Sequence, residues 1–238
     1  MQPGADLPLA RMSFEFLRPV PMAPLTLTTR MSRPGRRVQG LEAELSAEGV
    51  VVCRATALRI LAAPEELPEL ANAQVRDARP DAIGAPGDGH EVLFALDDVE
   101  RKSFAANAME MRFLSGQPLT GELPEHGGAA DHVPIGAATV WMRLRHPLLP
   151  DEPLTPIARV AATSDFGNGV AAVLPFEQYL FINADLTISL DRRPAGEWIA
   201  LQARTLLHPG GIAWAESVLH DERGPLGRAT QALVVQRR

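Results

Sequence analysis

Cys53-Arg54-Ala55-Thr56-Ala57-Leu58 returns later in the chain as Gly227-Arg228-Ala229-Thr230-Gln231-Ala232-Leu233, with the two arginines 174 positions apart. At the same offset, Ala10-Arg11-Met12-Ser13-Phe14-Glu15-Phe16-Leu17-Arg18 aligns with Ala184-Asp185-Leu186-Thr187-Ile188-Ser189-Leu190-Asp191-Arg192. Two matches at one offset imply a supersecondary unit that occurs twice. The mismatches carry the chemistry: Asp185 and Gln231 stand where the first copy has Arg11 and Ala57. Duplicated folds often keep their chemistry in one half, so this asymmetry marks a site in the second copy.

Working outward from the echo, the first copy reads as strands over Met12 to Arg18 and the Thr-rich Leu25 to Met31. A hairpin follows, Val38 to Ser46 and Val50 to Leu61, bending at Glu48-Gly49. The Pro-, Ala-, Asp- and Gly-rich stretch from Pro64 to Gly89 reads as a linker, with a short helical turn around Pro64 to Ala71. Strands over Ala108 to Leu114 and Ala137 to Arg145 flank a Gly-rich loop, Ser115 to Gly136. Thr155 to Val173 is the best helix candidate, with Thr155 as N-cap and Pro156 at the first helical position. Gly167-Asn168-Gly169 should loosen its latter part. Four strands close the chain: Phe181 to Asp191, Trp198 to Leu207, Ile212 to Asp221 and Gly227 to Val235.

One helix across an antiparallel sheet is an α+β arrangement, here present in tandem. The expected units are residues 1–95, with the linker, and residues 96–238. The first unit is expected to lack its N-terminal strand and helix, because only some ten residues precede its first strand, against roughly seventy in the second.

Composition excludes several classes. A net charge of −6 and a pI near 5.5 oppose a nucleic-acid footprint. The single cysteine, Cys53, excludes an internal disulfide framework and fits a reducing cytoplasm. Cys53 itself reads as buried and inert. No apolar run reaches the length of a membrane span. Neither a Gly-x-Ser-x-Gly elbow, nor a P-loop, nor a dinucleotide fingerprint occurs.

Several segments together resemble the TesB-like (acyl-CoA thioesterase II-like) double-hotdog superfamily. They are Met109-Glu110-Met111-Arg112-Phe113, Trp141-Met142-Arg143-Leu144-Arg145, Ser164-Asp165-Phe166-Gly167-Asn168-Gly169 and Phe181-Ile182-Asn183-Ala184-Asp185-Leu186-Thr187. Gly196-Glu197-Trp198 and Gly227-Arg228-Ala229-Thr230-Gln231 complete the set, which spans most of residues 105–238. Met12 to Arg18 carries the likeness into the first half.

The resemblance implies a double hotdog and cofactor-independent hydrolysis of an acyl-CoA thioester. In such families an Asp, a hydroxyl residue and a Gln of the second unit hold a water against the thioester carbonyl. The Asp matches Asp185, the Gln matches Gln231, and the hydroxyl falls on the strand after Trp198, at Thr205. The family's Gly-rich motif in the first-half helix is absent from this sequence.

A desolvated carboxylate suits a general base, and Gln or Thr can orient water through donor and acceptor together. Each residue also has a plain structural explanation: a strand-end carboxylate for Asp185, a solvent-facing residue for Gln231, β-propensity for Thr205. Asp165, Gly167, Asn168 and Gly169 are candidates for substrate contact, or a small-residue seam where helix meets sheet. Arg30, Arg33, Arg36 and Arg37 could meet coenzyme A phosphates, though a solvated turn explains them as well. His126 and His132, near Glu122, Glu125 and Asp131, lack compact ligand spacing, so no metal is expected.

Acyl-CoA hydrolysis leads. A non-catalytic acyl-binding module competes with it, and an enoyl-CoA hydratase is disfavoured because no His closely follows Asp185. The expected partner is acyl-CoA, not nucleic acid. A chain of two units already mimics a dimer of single units, so both a monomer and a homo-oligomer are compatible with it.

Overall fold

A computed structural model describes residues 7–62, 81–92, 104–116, 136–175 and 178–238. The first half supplies β1 (Leu9–Phe16), β2 (Leu25–Pro34), β3 (Val38–Ala47) and β4 (Val50–Ile60). The second begins with β5 (His90–Glu91), α1 (Phe104–Ala108), β6 (Met109–Ser115) and β7 (Ala137–Leu144). It continues through α2 (Pro156–Ser164), α3 (Gly167–Val170), β8 (Tyr179–Asn183) and β9 (Asp185–Leu190). The last strands are β10 (Ile199–His208), β11 (Ile212–Asp221) and β12 (Gly224–Arg237).

One continuous sheet joins the two units in the order β2-β3-β4-β1-β9-β12-β11-β10-β7-β6-β5, with β8 added alongside β12. The offset of 174 survives at the level of strand boundaries: β2 maps onto β10 and β3 onto β11, residue for residue. The units meet at β1 and β9, where Ser13 lies opposite Thr187. These residues are repeat equivalents of each other, so the pair sits on the pseudo-twofold axis. The Thr187 hydroxyl donates to the Ser13 hydroxyl at 3.1 Å.

From that centre a polar row runs outward symmetrically. On one side it passes through Thr56, Glu42 and Arg30, on the other through Thr230, Glu216 and Arg204. Arg30 pairs with Glu42, and Arg204 with Glu216, at equivalent positions. Antiparallel neighbours directly opposite share a face, so this polar row lies on one side of the sheet, where Trp141, Trp198 and Ala200 form a buried apolar cluster at the β10–β7 end.

The opposite side is apolar. In the second unit it is covered by α2 and α3, which close a core containing Val140, Met142, Val160, Ile188, Ile199, Leu201 and Leu219. Full burial of each such side chain contributes about 1.5–3 kcal/mol. No helix lies over the first unit among the described residues, and every residue of β2 is exposed.

Two expected elements are divided in the structure. The helix over Thr155 to Val173 starts as expected: the Ala158 N–H donates to Thr155 Oγ1 at 3.2 Å, and Pro156 occupies the first turn. It ends at Ser164, and a separate turn of helix, α3, follows. Gly167, Asn168 and Gly169 are poor helix formers, and tertiary hydrogen bonds hold this junction open. The strand over Phe181 to Asp191 breaks at Ala184, giving β8 and β9. There the Ala184 N–H donates to the Ala232 carbonyl at 2.9 Å, while the Ala184 carbonyl turns to accept from the Phe16 N–H at 3.0 Å. Smaller differences are that Ala108 ends α1 instead of opening β6, and that β10 begins at Ile199, after Trp198. The turn expected around Pro64 to Ala71 and the loop bearing His126 and His132 lie outside the described residues.

Candidate active site

Three strands carry the site row. Thr205 of β10 lies opposite Ala215 of β11, which lies opposite Gln231 of β12. The matching row in the first unit is Met31, Leu41 and Ala57. One face position in two copies of one unit is thus polar at both ends in the second and wholly apolar in the first.

Gln231 is 3% exposed, lies beneath the α2–α3 junction, and has both ends of its carboxamide engaged. Its Oε1 accepts the Asn168 backbone N–H at 3.1 Å. Its Nε2 donates to the Asp165 carbonyl at 3.0 Å and reaches the Asp165 Oδ1 at 3.3 Å. Asn183, at the end of β8, donates through Nδ2 to the same Asp165 Oδ1 at 2.9 Å, and its own Oδ1 accepts from Asn168 Nδ2 at 3.5 Å. Gly167 is required here by close approach: a Cβ would stand 2.9 Å from Gln231 Oε1 and 3.0 Å from Ser217 Oγ.

Three buried polar atoms around this cluster have no protein partner: Thr205 Oγ1, Ser164 Oγ and Asn168 Oδ1. Thr205 is 7% exposed, so its hydroxyl is shut away from bulk water without compensation. Such groups are uncommon and mark places where a water or ligand atom belongs.

Asp185 opens β9, directly after the break at Ala184. Its Oδ1 accepts the Ala232 N–H at 2.7 Å, replacing the backbone acceptor that the break removes. Since a strand N–H points within the sheet, this carboxylate lies near the sheet plane, one residue along from Gln231. The carboxylate that bonds Gln231 directly is Asp165. Of the residues singled out in the sequence, Gln231, Asp165, Gly167 and Asn168 therefore converge. Thr205 shares their face two strands away, and Asp185 joins through the backbone of Ala232. Gly169 contributes to α3 with open space where a side chain would be. Asn183 was not singled out, although it stands two residues before Asp185 inside a quoted segment; Ser164 and Ser217 were equally missed. The legible signal for Ser217 was a polar residue at an inward position of an alternating strand.

An apolar groove of about 410 Å³ opens beside the cluster. Phe14 and Phe16 of β1 form one wall, and Phe104, Ala162 and Phe166 of the second unit form the other. Asp165 lies at its edge. Phe104 and Phe166 stack with centroids 6.2 Å apart. A larger concavity, about 560 Å³, lies on the polar side of the first unit between Arg30, Glu42, Glu44 and Arg54, whose charges pair among themselves.

Cys53 and Glu110 are shifted by their surroundings. Cys53 is half-buried, not buried as expected; burial raises its thiol pKa, and the carboxylates of Asp165 and Glu15 raise it further. It stays a thiol at neutral pH. Burial pushes Glu110 upward, but hydrogen bonds from Arg143 and Arg112 outweigh it and leave the carboxyl below its ordinary range. The two arginines also flank the Trp198 ring at 4.7 and 5.0 Å. No cluster of His, Cys, Asp and Glu among the described residues could hold a metal ion. No helix among them is long and apolar enough to cross a membrane.

Comparison with solved structures returns the same architecture. TesB2, an acyl-CoA thioesterase II from Mycobacterium marinum, is 18% identical, with a TM-score of 0.66 over 100% of this chain and 83% of that one. A conserved hot dog fold protein from Alicyclobacillus acidocaldarius is 18% identical with a TM-score of 0.69, covering 100% of this chain and 81% of its own. The tesB protein of Mycobacterium avium subsp. paratuberculosis is 14% identical with a TM-score of 0.64, over 98% and 80%. At such identities these likenesses establish the fold. No curated protein sequence matches the chain. Family models decide the affiliation: one for an acyl-CoA thioesterase N-terminal domain matches residues 2–60, and one for the C-terminal domain matches residues 86–235. With both halves of the double hotdog matched in order, the chain belongs to the acyl-CoA thioesterase family.

Proposed function

We propose that this protein hydrolyses an acyl-CoA thioester by direct attack of water, with Asp185 as general base and with Gln231 and Thr205 holding the water. The observation that carries the reading is the site row itself. Gln231 and Thr205 are buried on one face, and the Thr205 hydroxyl has no protein partner. A carboxamide oxygen has two lone pairs, and the Asn168 N–H occupies one on Gln231 Oε1. The second is free to accept a proton of the nucleophilic water, while Thr205 Oγ1 fixes the water from the other side. Asp185 keeps Oδ2 for the proton, because Oδ1 is committed to the Ala232 N–H.

The water oxygen forms its bond to the acyl carbon as Asp185 takes a proton. The tetrahedral adduct then expels the thiolate, the C–S bond breaks, and the proton passes to sulfur. The products are a carboxylic acid and coenzyme A. The acyl tail lies in the phenylalanine-walled groove, whose volume falls within the ordinary range for small-ligand sites.

The test is thiol release from acetyl-, octanoyl- and palmitoyl-CoA. Asp185→Asn keeps an acceptor for the Ala232 N–H and should fold, yet should lose at least about 100-fold in kcat. Gln231→Ala should lose about 10- to 100-fold. Unchanged activity in both variants would sink the assignment, and saturable binding without turnover by the wild type would favour an acyl-binding module.

A further inference from the structure

We propose that the second unit binds a second copy of this chain through the side of its sheet turned away from α2 and α3, with Trp214 at the centre of the contact. Antiparallel pairing builds two apolar rows there. Leu206, Trp214 and Ala232 form one across β10, β11 and β12, and Ile212, Val234 and Ile182 form the other across β11, β12 and β8. Residues directly opposite share a face, and strand alternation fixes which face it is. Ala213, Ala215 and Leu233 are buried on the other side, whereas Trp214 keeps 42% of its surface in water and Ile212 keeps 69%. The patch therefore backs onto the row of Thr205, Ala215 and Gln231, and two copies joined here leave both phenylalanine-walled grooves open.

Formation of the sheet does not require this tryptophan: Gly40 holds the equivalent place in β3, a strand of the same length. Leu206, Ile212, Trp214, Val234 and Ile182 together expose on the order of 500 Å² of apolar surface, at the upper end of what a monomer ordinarily leaves uncovered. A twofold pairing buries roughly 1,000 Å² from these side chains alone, which reaches the size of a specific interface. Tryptophan is also among the residue types that most often dominate such contacts. An apolar surface complements its own copy under a twofold axis. Its border carries both signs side by side, in the pair of Arg204 with Glu216. A border of one sign would repel the copy. A lipid surface would call for a cationic border, which this mixed pair and a net charge of −6 do not supply.

The experiment is sedimentation velocity on the full chain from about 1 to 100 μM, with melting temperatures measured alongside. The wild type should pass from monomer to dimer within this range. Trp214→Ser should raise the dimer Kd at least about 30-fold without lowering the melting temperature. Met22→Ser, which changes an exposed apolar side chain outside the patch, should leave the Kd within about twofold. If Trp214→Ser does not fold, Val234→Lys on the neighbouring strand takes its place and should weaken the dimer at least about tenfold. A wild type that stays monomeric throughout overturns the proposal, as does a dimer whose Kd neither substitution changes. A monomer that binds phosphatidylglycerol vesicles, and loses that binding with Trp214→Ser, also overturns it and assigns the face to lipid. Each of these outcomes leaves the hydrolase reading standing, because thiol release is not the readout.

Discussion

Thr205 buries a hydroxyl that bonds nothing in the protein, and Gln231, two strands away on the same face, keeps one acceptor site in reserve. A buried unpartnered hydroxyl lowers stability by about 1–3 kcal/mol, so its retention fits a water that belongs to the chemistry. Thr205→Val preserves shape and removes the hydroxyl. The expected result is a kcat reduced about tenfold or more, with a melting temperature unchanged or raised by up to about 3 °C. A drop in both would instead assign Thr205 to structure. At this scale the sequence exposed Gln231 through its contrast with Ala57, but Asn183 carried no contrast that singled it out. Its repeat partner is Leu9, outside the two aligned segments, and its partners become apparent only when β8 meets the helix junction.

At the scale of elements, the β11–β12 turn is fixed by a buried ion pair. Asp221 accepts from Arg192 through two hydrogen bonds of 2.6 Å, and from the N–H groups of Ala195 and Arg223 at 2.9 and 2.8 Å. Burial pushes this carboxyl upward, yet the Arg192 hydrogen bond and the two N–H donors outweigh it and hold it below its ordinary value of 3.8. A depressed carboxylate stabilises the fold above its unfolded value and loses that contribution as pH falls through the folded one. Neighbouring His220 is fully buried, and burial depresses it from 6.5; the charge of Asp221 opposes this and that of Arg192 reinforces it. The unfolded chain takes up that proton first, so stability also declines as pH falls below about 6.5. A thermal scan from pH 7 to 3 should therefore show an early decline from His220 and a steeper one below about 4 from Asp221. His220→Leu should abolish the early step, and Asp221→Ala should lower the neutral-pH melting temperature by roughly 10 °C. Most strand positions were legible in the sequence because alternation and turn residues act locally. The loosening after Ser164 was legible in Gly167-Asn168-Gly169, but the bond to Gln231 there and the break at Ala184 were not, because they depend on partners distant along the chain: Gln231 for one, Ala232 and Phe16 for the other.

Across the whole molecule, the two units share one sheet about the Ser13–Thr187 axis, and their apolar sides face the same way. The phenylalanine groove exists only because β1 of one unit lies next to β9 of the other, bringing Phe14 and Phe16 against α1 and α2. Ala162 on α2 is small, and its Cβ borders this space. Ala162→Phe should shorten the usable groove, lowering kcat/KM for palmitoyl-CoA at least about tenfold relative to acetyl-CoA. A uniform change across chain lengths would place the acyl tail elsewhere.

The sequence by itself determined the duplication and the antiparallel strands, and it marked where the two copies differ in polar residues. It could do so because β2 through β4 recur as β10 through the start of β12 without insertion at one offset. In a strand, where side chains alternate strictly between faces, an unbroken offset carries every face assignment from one copy to the other. Only the tertiary structure decided what Gln231 touches, which carboxylate bonds it, and where an apolar groove opens beside it. Those contacts join residues dozens of positions apart across different elements, and nothing in the local periodicity of either partner encodes the meeting.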